Sequence, residues 1–173
     1  MLRYDLLDPK VTVEDLTAEI QTNLIGTIAV DKLLLPQLLQ QDEGMIVNVT
    51  SGLANISAAA NPVYSATKAG VHMFTSALRE QLSYAKQNQL HVMELVPPLV
   101  AETNLDDTVH TNDFGNMRLA DLVEAAIQGM EQNVIRVNAG AAADLRLAGQ
   151  QHPDETEHQM GLEMLGKYYP EGL

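Results

Sequence analysis

A hydroxyl, a phenol and an ammonium fall within one short stretch of the chain: Ser51, Tyr64 and Lys68 in SGLANISAAANPVYSATK. Tyr64 and Lys68 are four residues apart, which on a helix puts them on one face, one turn apart. An ammonium beside a phenol favours the phenolate and so lowers the phenol's pKa. A phenol tuned in this way can give or take a proton near neutral pH. Ser51 lies thirteen residues before Tyr64 and follows an apolar run at 45–49. A strand ending there would carry the serine hydroxyl to its carboxyl end, where open α/β sheets hold their ligands. The same residues also admit a hydrolytic reading, with Ser51 as nucleophile and the Tyr64–Lys68 pair as its base.

The elements that must position these groups are legible on either side. Residues 1–12 read as a connecting segment with a turn at Asp8-Pro9. Thr12-Val-Glu-Asp15 has the form of a helix start, with Thr12 as N-cap and acids in the first turn. A helix is expected over 13–39, with Leu16, Ile20, Leu24 and Ile28 as its apolar stripe and Pro36 bending or ending it. Asn23 lies inside that helix, near Gly26. Residues 45–50 and 90–96 read as short buried strands, the second broken by Pro97-Pro98. Between them, 52–61 is loop, and Pro62 precedes a helix over 63–86 with Val71, Phe74, Leu78 and Leu82 facing inward. Residues 104–116 are a polar loop, 119–130 a helix, and 133–137 a third strand. Alternating strands and helices make this an α/β chain with a parallel sheet.

Composition sets the outer bounds. The chain has 173 residues, enough for one domain with a core. Its 46% hydrophobic and 19% charged residues suit a globular protein, and no apolar run reaches bilayer length. The net charge of −13 argues against nucleic acid, whose phosphates need lysine and arginine. There are no cysteines, hence no disulfide framework and no thiolate chemistry. The opening MLRYDLLDPK lacks a long apolar segment, which suits the cytoplasm. The sequons at Asn48 and Asn55 are read as chance matches. Gly161 to Lys167 imitates a phosphate loop, but Tyr168 stands where Ser or Thr is required. His152, Asp154, Glu155, Glu157 and His158 have no metal-ligand spacing and read as a solvated acidic segment.

In the frame IVNVTSG, PVYSATKAG and ELVPP, the Ser51, Tyr64, Lys68 spacing resembles the short-chain dehydrogenase/reductase family. Its detail looks closest to the bacterial branch labelled after teichoic-acid D-alanylation. The resemblance implies a Rossmann-like, doubly wound parallel sheet and hydride transfer between NAD or NADP and a small carbonyl compound or alcohol. It implies Tyr64 as acid or base, Ser51 on the substrate oxygen, Lys68 on the nicotinamide ribose and Asn23 on a relay water. Pro97 and Thr103 would approach the nicotinamide. Here the segment reads PPLVAET, with Pro98 in place of a glycine and Glu102 where the threonine is expected. The resemblance further implies a homo-oligomer built on helices 13–39 and 63–86, and a substrate-covering loop at 104–116.

The likeness covers roughly 5–137, as a single truncated domain within 1–173 whose last part, 138–173, is unassigned. None of the eleven glycines forms a glycine-rich turn between a strand and a helix. Asn138-Ala-Gly140 falls at the wrong end of the chain for the family's fourth strand. The cofactor half is therefore expected to be missing, leaving strand 45–50 with an open edge. That expectation keeps a non-catalytic, dimerising interaction module in view beside the oxidoreductase and the hydrolase.

Overall fold

The computed structural model describes residues 1–103, 105 and 116–173. Most of the loop expected at 104–116 lies outside the described residues. Thr12 begins the first helix through a reciprocal cap. Its hydroxyl accepts from the Asp15 amide at 3.2 Å, and the Asp15 carboxylate accepts from the Thr12 amide at 2.9 Å. Helix α1 (Val13–Ile20) runs into a π-helical turn, Gln21–Ile25, and then into α2 (Gly26–Leu38). The rod ends two residues after Pro36, which sits in its last turn.

Three strands follow in one parallel sheet, ordered β1 (Gly44–Val49), β2 (Leu90–Val96) and β3 (Arg136–Asn138). Asn48 pairs with Glu94, and Glu94 in turn with Arg136, so these three stand in one row across the sheet. The third strand lies later than 133–137. Asn133 takes a left-handed φ of 51°, and the Val134 amide donates back to Gly129, so these residues close the preceding helix. Helix α3 (Pro62–Tyr84) has Pro62 as its first residue, where no amide donor is needed. Helix α4 (Leu119–Glu131) precedes β3. The unassigned tail folds into α5 (Ala141–Gln151) and α6 (Pro153–Tyr168), so the phosphate-loop imitation is simply helix.

Alternation along β1 and β2 divides the core. Ile46, Leu90 and Val92 meet Leu78 and Leu82 of α3, with Leu35, Leu38 and Phe74 beside them. Leu95 on the opposite face meets Leu122 and Ala126 of α4, with Val47, Met130 and Val137 around it. The inward face of α3 is as expected, with Phe74 partly buried. The stripe expected on the first helix is met in part: Leu16, Leu24 and Ile28 are half-buried, and Leu24 packs against Gly70. Ile20 is 36% exposed, while Glu19 and Asp31 are buried. The inward row there is polar: Glu19, Asn23, Thr27 and Asp31. Most of its polar atoms find partners, Glu19 Oε2 excepted. Glu19 Oε1 accepts from the Leu2 amide at 3.1 Å, and Asn48 Nδ2 donates to Asp31 at 2.8 Å and to Thr75 at 3.0 Å.

A second polar group lies deeper. Glu94 on β2 is 1% exposed. Its carboxylate accepts from Thr50 Oγ1 at 2.7 Å, from Arg136 Nε at 2.6 Å and from His72 Nδ1 at 2.9 Å. Burial pushes the carboxyl pKa up, but these bonds outweigh it and bring it down to about 2. The ionised form is thus favoured by folding.

Two predictions follow from packing. A carboxyl lowered from 4.5 to about 2 contributes stability that is complete above pH 4.5 and lost as pH falls toward 2. The term is on the order of 3 kcal/mol. Urea unfolding of wild type and Glu94→Gln should therefore show a gap of that order at neutral pH that narrows through the acid range. A gap independent of pH would show that the ionised carboxylate is not what the cluster stabilises. At Gly129, an added methyl would overlap Val137 and lie 3.2 Å from Val134 and 3.3 Å from Met93. Overpacking costs about 1–3 kcal/mol, against about 0.5–1 gained from helix propensity. Gly129→Ala should lower Tm by a few degrees in a thermal scan.

Candidate active site

Ser51 follows β1 at its carboxyl end and is buried. Its backbone is extended, and its hydroxyl accepts from the Leu53 amide at 3.2 Å, opening a 3-10 turn at Gly52–Ala54. Tyr64 enters from the first turn of α3, 5% exposed, and lines the same cavity as Ser51, close enough for the serine side chain to affect its ionisation. Two elements from opposite sides of a loop thus place a hydroxyl and a phenol together at the strand ends.

Lys68, one turn along α3, holds its ammonium 5.7 Å from the Tyr64 ring centroid. That ammonium donates to the Val49 carbonyl at 2.9 Å. Burial pushes the Lys68 pKa down. The phenol does not behave as the spacing alone suggests. Burial pushes the Tyr64 pKa up, the Ser51 bond pulls against it, and the Glu19 carboxylate adds to the rise. The cation that was expected to lower it is engaged by a backbone carbonyl, and loss of hydration is the larger effect.

Asn23 sits in the π-helical turn and faces α3. Its side-chain amide approaches Thr67 Oγ1 at 3.4 Å, and Thr67 donates to the Tyr64 carbonyl at 2.7 Å. Single π turns recur at functional sites, because the widened turn re-aims one side chain. Pro97 accepts from the Gly52 amide at 3.0 Å and so ties the end of β2 to the serine turn. Thr103 is exposed and donates to the Val100 carbonyl at 2.7 Å. Glu102 accepts from the Leu119 amide at 2.7 Å, at the start of α4. There its charge complements the helix dipole. Ser51 and Tyr64 therefore meet beyond the end of β1, with Lys68 one turn along α3 and Asn23 linked to the Tyr64 turn through Thr67.

Beside Ser51 and Tyr64 lies a cavity of about 520 Å³. Pro98 and Leu99 form one wall, and Leu145, Met160 and Met164 of the carboxyl-terminal helices form another. The tail was unassigned in sequence, because nothing in its acidic, weakly periodic pattern marks which face would be covered. Glu19 was missed as well. Its signal is the polar i, i+4 row 19, 23, 27, 31, which marks an inward face carrying polar groups. Among the described residues no group of three or more His, Asp or Glu side chains is placed to hold a metal. No helix among them is long and apolar enough to cross a membrane.

Residues 7–114 match the short chain dehydrogenase family. The uncharacterized oxidoreductase DltE of Bacillus subtilis (strain 168) is 31% identical over 145 residues, covering 82% of this chain and 56% of that protein. A short chain dehydrogenase from Burkholderia cenocepacia J2315, solved in complex with NADP, aligns with a TM-score of 0.74 at 21% identity. That alignment covers 92% of this chain and 65% of the other. A short chain dehydrogenase/reductase from Burkholderia phymatum in complex with NAD aligns at 0.66 and 18% identity, over 87% and 61% of the two chains. The chain thus spans little more than half the length of its curated relative. The matched segment holds Asn23, Ser51, Tyr64 and Lys68, the sheet is parallel throughout, and the chain belongs to the short-chain dehydrogenase/reductase family.

Proposed function

We propose that this chain is the catalytic half of an oxidoreductase that interconverts a small carbonyl compound and its alcohol with NAD or NADP. The observation that carries the reading is that Ser51 and Tyr64 together line one apolar cavity beyond the carboxyl end of β1. The cofactor fits these residues at one end. Lys68 has two N–H donors beyond the one given to Val49, and with Tyr64 beside it they suit ribose hydroxyls. The pyrophosphate end has no counterpart, because the sequence contains no glycine-rich turn between a strand and a helix. When bound, the nicotinamide supplies or accepts a hydride.

The protein's own groups manage the proton. Ser51 hydrogen-bonds the substrate oxygen and orients it toward Tyr64. Burial keeps the phenol protonated at neutral pH, so in reduction Tyr64 gives its proton to the oxygen as negative charge develops there. The phenolic O–H breaks, the alcohol O–H forms, and the phenolate is held by Ser51 and the nearby Lys68 ammonium. Asn23 holds the water through which the phenolate recovers its proton. Oxidation runs the same transfers in reverse.

A second reading draws on the outward face of the first helices. Val30 and Leu33 of α2 are exposed, the latter at 76%, as is Met73 of α3. An apolar face of this kind suits a homodimer through helices 13–39 and 63–86, with or without catalysis. A cytoplasmic setting, with no nucleic acid or membrane partner, belongs to the same proposal.

Three measurements test it. Each charge-assisted bond missing from the pyrophosphate end is worth about 1.5–3 kcal/mol. Two or three lost bonds weaken binding by on the order of a thousandfold. Calorimetry of the purified chain with NADH and NADPH should therefore show negligible heat from micromolar to low-millimolar ligand. Tight saturable binding would contradict the missing-half account. Hydrolysis of a chromogenic ester that Ser51→Ala abolishes would instead favour the hydrolase. In alkaline ultraviolet difference titration, Tyr64→Phe should remove a phenol that ionises above the ordinary tyrosine value of 10.0. Loss of a phenol titrating below it would show that Lys68, not burial, governs the site.

A further inference from the structure

Main-chain bonds fix which residues of β1 face its partner strand. The Gly44 amide donates to Gln89 and the Thr50 amide to Leu95, each at 2.9 Å. The even-numbered residues of β1 therefore turn their amides and carbonyls toward β2, and Met45, Val47 and Val49 turn theirs the other way. Lys68 agrees with this direction, since its ammonium donates at 2.9 Å to the outward Val49 carbonyl. β1 ends the sheet, and among the described residues no strand pairs with this edge.

Sheet edges are commonly blunted by a charge, a proline or a bulge. β1 carries no charged residue and no proline, and its register against β2 is unbroken. β3, at the opposite edge, is only three residues long and includes Arg136. On β1 the Val49 side chain is 48% exposed, and Met45 and Val47 are half-buried. The outward set is centred on Val47, so two copies fit antiparallel about a two-fold axis at that residue. Val47 then faces Val47, and Met45 faces Val49. Residues paired in this way exchange both amide and carbonyl bonds. Their apolar side chains meet on the face that Val47 shares with α4.

Charge selects the same arrangement. Asp42 and Glu43, both exposed, lie just before β1, and the Lys68 ammonium stands at its other end. Antiparallel pairing brings the acids of each copy toward the lysine of the other, whereas parallel pairing would set acids beside acids. The Val49 carbonyl has a second lone pair, so it can keep Lys68 and still accept from the partner's Met45 amide. We infer that the open edge of β1 takes the same edge of a second copy, so that two three-stranded sheets become one. Each β1 has one open edge, so the pairing closes at a dimer. This interface is distinct from the exposed helix face of Val30, Leu33 and Met73, and it places an acid of each copy near the ammonium of the other's site.

The test is sedimentation equilibrium of the intact chain over a concentration series. It is run at about 0.15 M salt, where repulsion between two copies of net charge −13 is screened beyond about 8 Å. A dimer should form, and amide exchange read by NMR should slow at Met45, Val47 and Val49 as concentration rises. Val47→Pro removes an outward amide that β2 does not use, and Val49→Lys puts a charge on an exposed edge position. Each should leave only monomer, with the fold checked by circular dichroism and thermal unfolding. If Val47→Pro unfolds, Val49→Lys decides, and if both unfold, the exchange pattern of the wild type decides. Asp42→Lys combined with Glu43→Lys should weaken the dimer roughly tenfold. A monomer at every concentration would overturn the inference and leave the edge to a different chain. Open-ended oligomers would overturn it too. So would a dimer that Leu33→Glu or Met73→Glu dissolves but folded Val49→Lys leaves intact, or one whose Met45, Val47 and Val49 amides exchange as fast as in the monomer.

Discussion

The carboxylate of Glu94 is the fixed point of this fold. It stands on the central strand, and its partners come from three other places: Thr50 at the end of β1, His72 on α3 and Arg136 on β3. Thr50 is the residue before Ser51, and His72 lies one helical turn beyond Lys68. One buried charge therefore sets the relative positions of the strand end that carries the serine and the helix that carries the tyrosine and lysine. Removing a partner from a buried ionic cluster leaves a charge without compensation, so the groups hold together or fail together. Arg79 continues the arrangement by donating to the Val92 and Ile135 carbonyls, stitching α3 to β2 and to the residue that leads into β3.

With the backbone held in this way, the chemistry of the site is decided by hydration. Tyr64 and Lys68 are neighbours, yet their pKa values move in the direction burial dictates: the phenol up, the ammonium down. Both shifts favour the uncharged forms. A site with this bias keeps the proton on the phenol at neutral pH. Glu19 reinforces the bias from α1, through the same inward row that brings Asn23 toward Tyr64's helix turn.

Much of this was legible in the chain because local rules and tertiary packing agree. The Thr12 cap, the apolar face of α3, the two longer strands and the Ser51–Tyr64–Lys68 spacing all follow from short-range patterns. What was not legible depends on partners distant in sequence. Glu94 sits inside an apolar run and reads as one acid in a strand, because its three partners are 22 to 44 residues away. The third strand is three residues long, too short to show an alternation. The tail helices carry polar residues on most faces, and only their packing against Gly52 and Asn55 shows which side matters. The polar inward row of the first helix was hidden for a different reason: a π turn interrupts the α-helical period there.

That interruption sets how the rod can change. A π turn is an α-helix with one residue added, and each residue in an α-helix advances the azimuth by about 100°. Deleting a single residue from 21–25 would restore an unbroken helix. It would also rotate everything before it relative to everything after it by that angle. Glu19 and Asp31, now on one inward row, would then point in different directions. The first helix is thus two separately phased pieces joined by a spacer, and insertions or deletions in that spacer act like the adjustment of a dial.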